Sequence, residues 1–179
     1  MSTKYELTDE AKNINGITLH RIRALRDIPS AGVKSGDLGG WIEKESNLCQ
    51  NGNAWVYGGA EVYGGAEVCG NARVYDNARV YGSAWVYGDA EVCCNADYMT
   101  FKNSWSSGRW FTYTRSNKMW KVGCFYGSGE ELIKKAYADS ELSGKCYEAI
   151  VRAAETIEAA KAEAALAKAA GGSEVKNGN

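Results

Sequence analysis

From Asn53 to Thr100 the chain reads NAWVYG, GAEVYG, GAEVCG, NARVYD, NARVYG, SAWVYG, DAEVCC, NADYMT, eight six-residue units without slippage. Alanine stands at 54, 60, 66, 72, 78, 84, 90 and 96, and valine at 56, 62, 68, 74, 80, 86 and 92. Six is not a helical period. Within a unit Ala-x-Val alternates, so Ala and Val share one face of a short strand. The intervening residue and the following Tyr take the other face. Gly-Gly, Gly-Asn, Asp-Asn or Gly-Ser then signals a turn. Strands this short bury little as separate hairpins, but stacked on one another they enclose their Val and Ala. The phase continues upstream through Gly40/Ile42 and Ser46/Leu48. A two-residue excess between Leu48 and Val56 predicts a loop at Gln50-Asn51-Gly52.

These units resemble the hexapeptide repeat of left-handed parallel β-helices. The tyrosine-rich form, with NARVYG units after a GDLGGWIE segment at 36–43, resembles a family of repeat proteins encoded by tailed phages and prophages. The resemblance covers Lys4 to Asp97 and implies a mainly β fold, a short left-handed parallel β-helix. Its handedness rests on the resemblance alone. Three hexads to a coil would stack residues eighteen apart at the strand spacing of ~4.8 Å. Glu61, Arg79 and Asp97 would form one outward ladder, and Trp55, Arg73 and Glu91 another. Glu67 would lie under Trp85, Tyr57 on Tyr75 and Tyr63 on Tyr81. The alternation of sign in these ladders favours the eighteen-residue stacking, because like charges avoid facing each other across strands.

The flanks read as caps. Residues 1–38 form an N-terminal β cap, with strands at Tyr5–Leu7 and Ile17–Leu25 about a turn at Asn13–Gly16. Residues 39–98 are the hexapeptide solenoid. Residues 99–170 hold an aromatic hairpin, Arg109–Arg115 with Met119–Phe125, and two helices. Ser128-Gly-Glu-Glu131 fits a capping box for the first helix. The second follows Ser143-Gly144 with an apolar stripe of Tyr147, Ile150, Val151, Ala154 and Ile157. Beyond Ile157 the Ala, Glu and Lys run has little to bury, so the helix is expected to fray before Gly171, with residues 171–179 a disordered tail.

Composition narrows the chemistry. With 21 Lys+Arg against 22 Asp+Glu, the chain is no polycation, and no extended duplex DNA binding is expected. No apolar run reaches membrane-spanning length, and the first ten residues have no secretory apolar stretch. A cytoplasm with reduced thiols is therefore expected for Cys49, Cys69, Cys93, Cys94, Cys124 and Cys146. Cys69 and Cys93 occupy repeat positions otherwise held by tyrosine, and no pair has C-x-x-C spacing. No metal or cofactor is expected. The one histidine, His20, excludes a multi-histidine site within one chain. The acyltransferases and carbonic anhydrase-like enzymes among hexapeptide proteins use histidines, which leaves an acyltransferase-like enzyme using His20 as a remote alternative. No G-x-S-x-G, P-loop, H-E-x-x-H or G-x-G-x-x-G is present.

Charge is unevenly distributed. Between 102 and 121 stand Lys102, Arg109, Arg115, Lys118 and Lys121 with no acid, interleaved with Trp105, Trp110, Phe111, Tyr113 and Trp120. Cations beside aromatics can stack a base and hold a phosphate. They also suit a cap whose aromatics cover an open end while the charges reach out to water. The candidate ligand- or partner-binding residues are Arg109, Phe111, Tyr113, Arg115, Lys118 and Lys121, with Trp110 facing inward and no catalytic residue assigned. The resemblance implies a non-enzymatic phage accessory protein in the host cytoplasm. It would antagonise a bacterial defence system, either by gripping a host protein or by sequestering a small anionic nucleotide signal. The alternative is a structural or assembly protein without that role. A homotrimer is expected from flat Tyr- and Trp-bearing sides.

Overall fold

The computed structural model describes residues 3–171; the expected tail lies outside the described residues except for Gly171. The chain divides into two compact units, Met1–Ser128 and Gly129–Asn179. The boundaries expected at 38 and 98 fall inside the first unit.

The first unit opens with an antiparallel pair, β1 (Tyr5–Ile14), much longer than the sequence suggested, and β2 (Ile17–Ala24), close to the expected strand. Its turn is Asn15-Gly16, with φ of 52° and 86°, the left-handed pair that a tight two-residue hairpin requires. Then come β3 (Leu38–Ile42) and seven two-residue strands, one per hexad: β4 (Trp55–Val56), β5 (Glu61–Val62), β6 (Glu67–Val68), β7 (Arg73–Val74), β8 (Arg79–Val80), β9 (Trp85–Val86) and β10 (Glu91–Val92). Four longer strands follow, β11 (Tyr98–Lys102), β12 (Trp110–Thr114), β13 (Met119–Val122) and β14 (Phe125–Gly127).

Pairing among the hexads is parallel at an offset of eighteen. Trp55 faces Arg73 and Arg73 faces Glu91; Glu61 faces Arg79, and Glu67 faces Trp85. Upstream the offset is twenty, with Ile42 on Val62 and Leu48 on Val68. The two extra residues of the Gln50-Asn51-Gly52 loop account for that difference. Every Ala and Val of the seven strand-bearing hexads is fully buried, and together they form the core.

The fold class expected from the repeat is nonetheless corrected. The chain is 29% helical and 34% strand, and its strands fall into several small sheets. One is mixed, β1-β2-β3-β5-β8; two are parallel, β10-β7-β4 and β6-β9; one is antiparallel, β11-β12-β13-β14. A left-handed parallel β-helix is not shown. Two residues per strand and at most three stacked hexads leave each parallel segment small. The long hairpin joins one such segment edgewise through the antiparallel β2–β3 pair.

Other expectations also change. Asp97 does not extend the Glu61–Arg79 ladder, because the chain turns at Asn95–Asp97 and the Arg79 N–H donates to Asn95 Oδ1 at 2.8 Å. Tyr63 and Tyr81 do stack, with centroids 5.5 Å apart, whereas Tyr57 sends its hydroxyl to the Ala31 carbonyl at 2.8 Å. Cys49 and Cys69 are not reduced thiols: they form a disulfide with Cα atoms 5.0 Å apart. The Leu48–Val68 bridge sets the two residues beside each other at a separation any disulfide accepts.

The second unit is a helix pair, α1 (Gly129–Asp139) and α2 (Glu141–Gly171). Leu132, Ile133 and Ala136 of α1 and Val151 and Ala154 of α2 are buried. Gly144 lies inside α2 rather than before it, and a Cβ there would meet the Tyr137 ring at 2.2 Å, so its missing side chain sets how closely the helices approach. α2 runs on to Gly171 instead of fraying earlier. Alanine, glutamate and lysine keep its backbone helical without a core, and a Lys161–Glu158 ion pair adds to this.

Candidate functional site

Stacked parallel strands end in an edge whose N–H groups need acceptors. Inside the stack each outward residue donates to the alanine carbonyl of the next level, as Trp55 does to Ala72 and Arg73 to Ala90. At the last level no further hexad follows. Side-chain oxygens take over: the Arg79 N–H donates to Asn95 Oδ1 at 2.8 Å, Trp85 to Thr112 Oγ1 at 2.9 Å and Glu91 to Ser116 Oγ at 2.8 Å. The hexad edge is thus capped through Asn95, Thr112 and Ser116, while the Tyr126 ring of β14 packs against Tyr87.

Capping by Thr112 fixes which face of β12 turns to the hexads. Trp110, Thr112 and Thr114 lie on that face, and Phe111 and Tyr113 on the other. Phe111 is fully buried among Trp105 and Trp120, and Tyr113 stands 5.2 Å from Trp120. Those two candidates build the far side of the sheet. Arg115 and Lys118 sit around the β12–β13 turn, where the Arg115 N–H donates to the Asp97 carbonyl and Lys118 takes a φ of 55°. Neither is among the residues lining the cavity described next.

Arg109 and Lys121 lie elsewhere. Ser83, Trp85, Arg109, Trp110 and Gly123 line a half-open, mainly apolar cavity of about 260 Å³. Trp110, expected to face inward, keeps 40% of its surface exposed at this cavity. The Lys102 ammonium lies 5.7 Å from the centre of the Trp110 ring. Gly123 supports Arg109: a Cβ on it would stand 3.5 Å from Arg109 Cδ. On the other side of Trp85 a smaller hollow of about 90 Å³ is lined by Glu67, Cys69, Trp85, Val86, Tyr87 and Lys121. Lys121 Nζ lies 5.0 Å from the centre of the Trp85 ring and 4.8 Å from that of Tyr87, and donates to the Gly123 carbonyl at 2.7 Å.

The electrostatics follow from this packing. Burial holds the Lys121 ammonium below the ordinary lysine value, and the nearby Cys124 and Glu67 partly oppose it. Burial pushes the Glu67 carboxyl up, against the pull of Lys121. The cavity is therefore lined by two tryptophans and an arginine, with Lys121 in the neighbouring hollow beside Trp85. It offers stacking area and positive charge.

Of the candidate set only Arg109 lines the cavity, while Lys121 lies in the neighbouring hollow; Trp85, Ser83 and Gly123 were missed. One signal pointed to Trp85. Eighteen residues beyond it the hexads have stopped, so its outward face is open to whatever region caps the stack. His20 lies in β2, its Nδ1 3.3 Å from the Thr8 carbonyl. No family model matches the chain, and no curated protein matches it. Among the described residues no helix is long and apolar enough to cross a membrane.

Proposed function

We propose that the chain is a non-catalytic binding protein whose ligand is a small planar anion of the nucleotide class, held in the Trp85–Arg109–Trp110 cavity. The observation that carries this reading is that Arg109, Trp85 and Trp110 line one cavity of about 260 Å³. A base stacks on an aromatic ring for ~1–3 kcal/mol, and a guanidinium pairs with phosphate through directed N–H donors. A cavity near the lower end of ligand-site volumes suits one nucleotide rather than an extended strand. In the phage setting that the resemblance implies, such a protein removes a nucleotide signal from a host defence system.

Titration with adenosine 5′-monophosphate, read by tryptophan fluorescence, tests the reading. Saturable quenching is expected, weakened at least tenfold by Arg109→Glu and by Trp110→Ala, and weakened by added salt. If Arg109→Glu binds this nucleotide and its guanosine and cyclic counterparts as the parent does, or if none binds the parent, the reading fails. A second reading, a threefold assembly of the chain, is favoured by the stacked Tyr63–Tyr81 pair, in which Tyr81 is 48% exposed. A monomer mass in light scattering would remove it.

A further inference from the structure

The hexads end abnormally. Position 94 is the corner slot that Gly58, Gly64, Gly70, Asp76, Gly82 and Gly88 hold with positive φ. Cys94 holds it with φ −148° instead. In a continuing strand the adjacent Cys93 and Cys94 would point to opposite sides. Here the strand has stopped at Val92 and the chain turns through Asn95–Asp97, which brings the two side chains to the same carboxylate. The two Sγ atoms and an Asp97 carboxylate oxygen all lie within 4.8 Å of one another. Asp97 is fixed: its Oδ2 accepts the N–H groups of Cys93 at 2.8 Å and Cys94 at 2.9 Å. Cys93 is half-buried and Cys94 exposed, so a ligand atom from water can reach the group. Asp76 lies close enough to add negative potential at Cys93.

We propose that Cys93, Cys94 and Asp97 form a binding site for a borderline-soft divalent cation of the zinc class. Two thiolates and one carboxylate oxygen supply three ligands, and water completes a tetrahedron. Mixed sulfur and oxygen donors at three positions with a fourth open are a known zinc arrangement, with bonds of ~2.3 Å to sulfur and ~2.0–2.2 Å to oxygen. Those bonds bring the ligand atoms to within about 4 Å of one another, a contraction that rotation of the exposed Cys94 side chain provides. Binding is not a redox step: the cation displaces one proton from each thiol to solvent, and the ionised carboxylate donates a lone pair. The bound ion would clamp the end of β10 to the turn whose Asn95 caps Arg79. The site is separate from the Trp85 cavity and stands whether or not a nucleotide binds there.

Cadmium is the probe, because its thiolate complexes absorb in the ultraviolet. The protein is titrated with cadmium under argon without reductant, which leaves the Cys49–Cys69 disulfide intact. One equivalent is expected to bring the charge-transfer band to the intensity of two thiolates, and a large excess of zinc should compete it down. Cys93→Ser and Cys94→Ser should each halve the band and weaken binding about tenfold or more. Asp97→Asn should keep the two-thiolate band but weaken binding by a similar factor. Cys124→Ser should change nothing. No band at one equivalent, a one-thiolate band, or a band indifferent to both serine variants would overturn the site. Far-ultraviolet circular dichroism checks each fold, and if Asp97→Asn unfolds, the two serine variants decide the question alone.

Discussion

Val74 and Arg73 are neighbours on β7, and the structure assigns them opposite fates. Val74 is fully buried between Val56 and Val92, while Arg73 ion-pairs with Glu91 at 3.3 Å on the outside. Val74→Ala removes two carbons from the middle of a three-valine stack. The transfer cost is ~0.8 kcal/mol each, or about 1.6 kcal/mol. A residual void of ~40 Å³ at ~24 cal/mol per Å³ adds about 1 kcal/mol. The expected loss is about 2.5 kcal/mol. Arg73→Ser gives up a half-exposed ion pair, worth under ~1 kcal/mol. It also loses one hydrogen bond to the Ser30 carbonyl at 2.6 Å. A partly solvated bond of that kind contributes ~0.5–1 kcal/mol, so the total lies at roughly 0.5–2 kcal/mol. Urea unfolding followed by tryptophan fluorescence measures both. All six tryptophans lie before residue 129, so the signal reports the first unit alone. Val74→Ala should lower the midpoint further than Arg73→Ser at unchanged slope. Equal losses, or a larger one from Arg73, would refute the assignment of inside and outside.

Two further outcomes test the packing at the ends of the stack. Gly82 and Gly88 have nearly the same φ, 70° and 69°, but a Cβ at Gly82 meets nothing within 4 Å whereas one at Gly88 meets the Tyr126 hydroxyl at 2.0 Å. Both alanine substitutions bear the left-handed penalty of ~1–2 kcal/mol. Gly88→Ala should therefore lose a further ~1–3 kcal/mol for overpacking in the same urea assay, and equal losses would mean that Tyr126 does not seat there. Lys4 is fully buried, its Nζ donating to the Ala54 carbonyl at 2.8 Å, and burial with repulsion from Arg26 brings its pKa down to about 8. The unfolded chain holds that proton up to about 10.5, so between pH 8 and 10 it binds more protons at this position than the folded chain does. This group's contribution to stability therefore rises with pH in that window and is at its lowest below pH 8. Relative to Lys4→Met, the parent should gain roughly 2–3 kcal/mol from pH 8 to 10; parallel pH profiles for the two proteins would show that the ammonium is not desolvated.

What was legible in the sequence was whatever the repeat enforces locally. Alternation of Ala and Val with polar residues is a property of each hexad, so the buried face and the eighteen-residue register could be read without the rest of the chain. The twenty-residue offset upstream followed from counting two extra residues. What failed depends on where the repeat stops. The fold class assumed that stacking dominates, yet a two-residue strand contributes so little backbone that an edgewise hairpin and a separate four-stranded sheet decide the sheet composition. The Cys49–Cys69 bond was hidden because Cys69 read as a lapse from tyrosine. Only the shifted register puts Cys49 beside it. The cavity beside Trp85 shows the same dependence. Arg109 and Lys121 stood out by charge and aromatic context, but the face of β12 that meets the hexads is chosen by the Trp85 N–H and its need for the Thr112 hydroxyl. Alternation alone separates Phe111 and Tyr113 from Trp110, as expected; that the Phe111 side is itself buried, among Trp105 and Trp120, no local pattern records. Edges of repeats are therefore where side chains acquire roles the repeat does not assign. Trp85 lines the cavity and Cys94 occupies an abandoned corner because the chain stops stacking there.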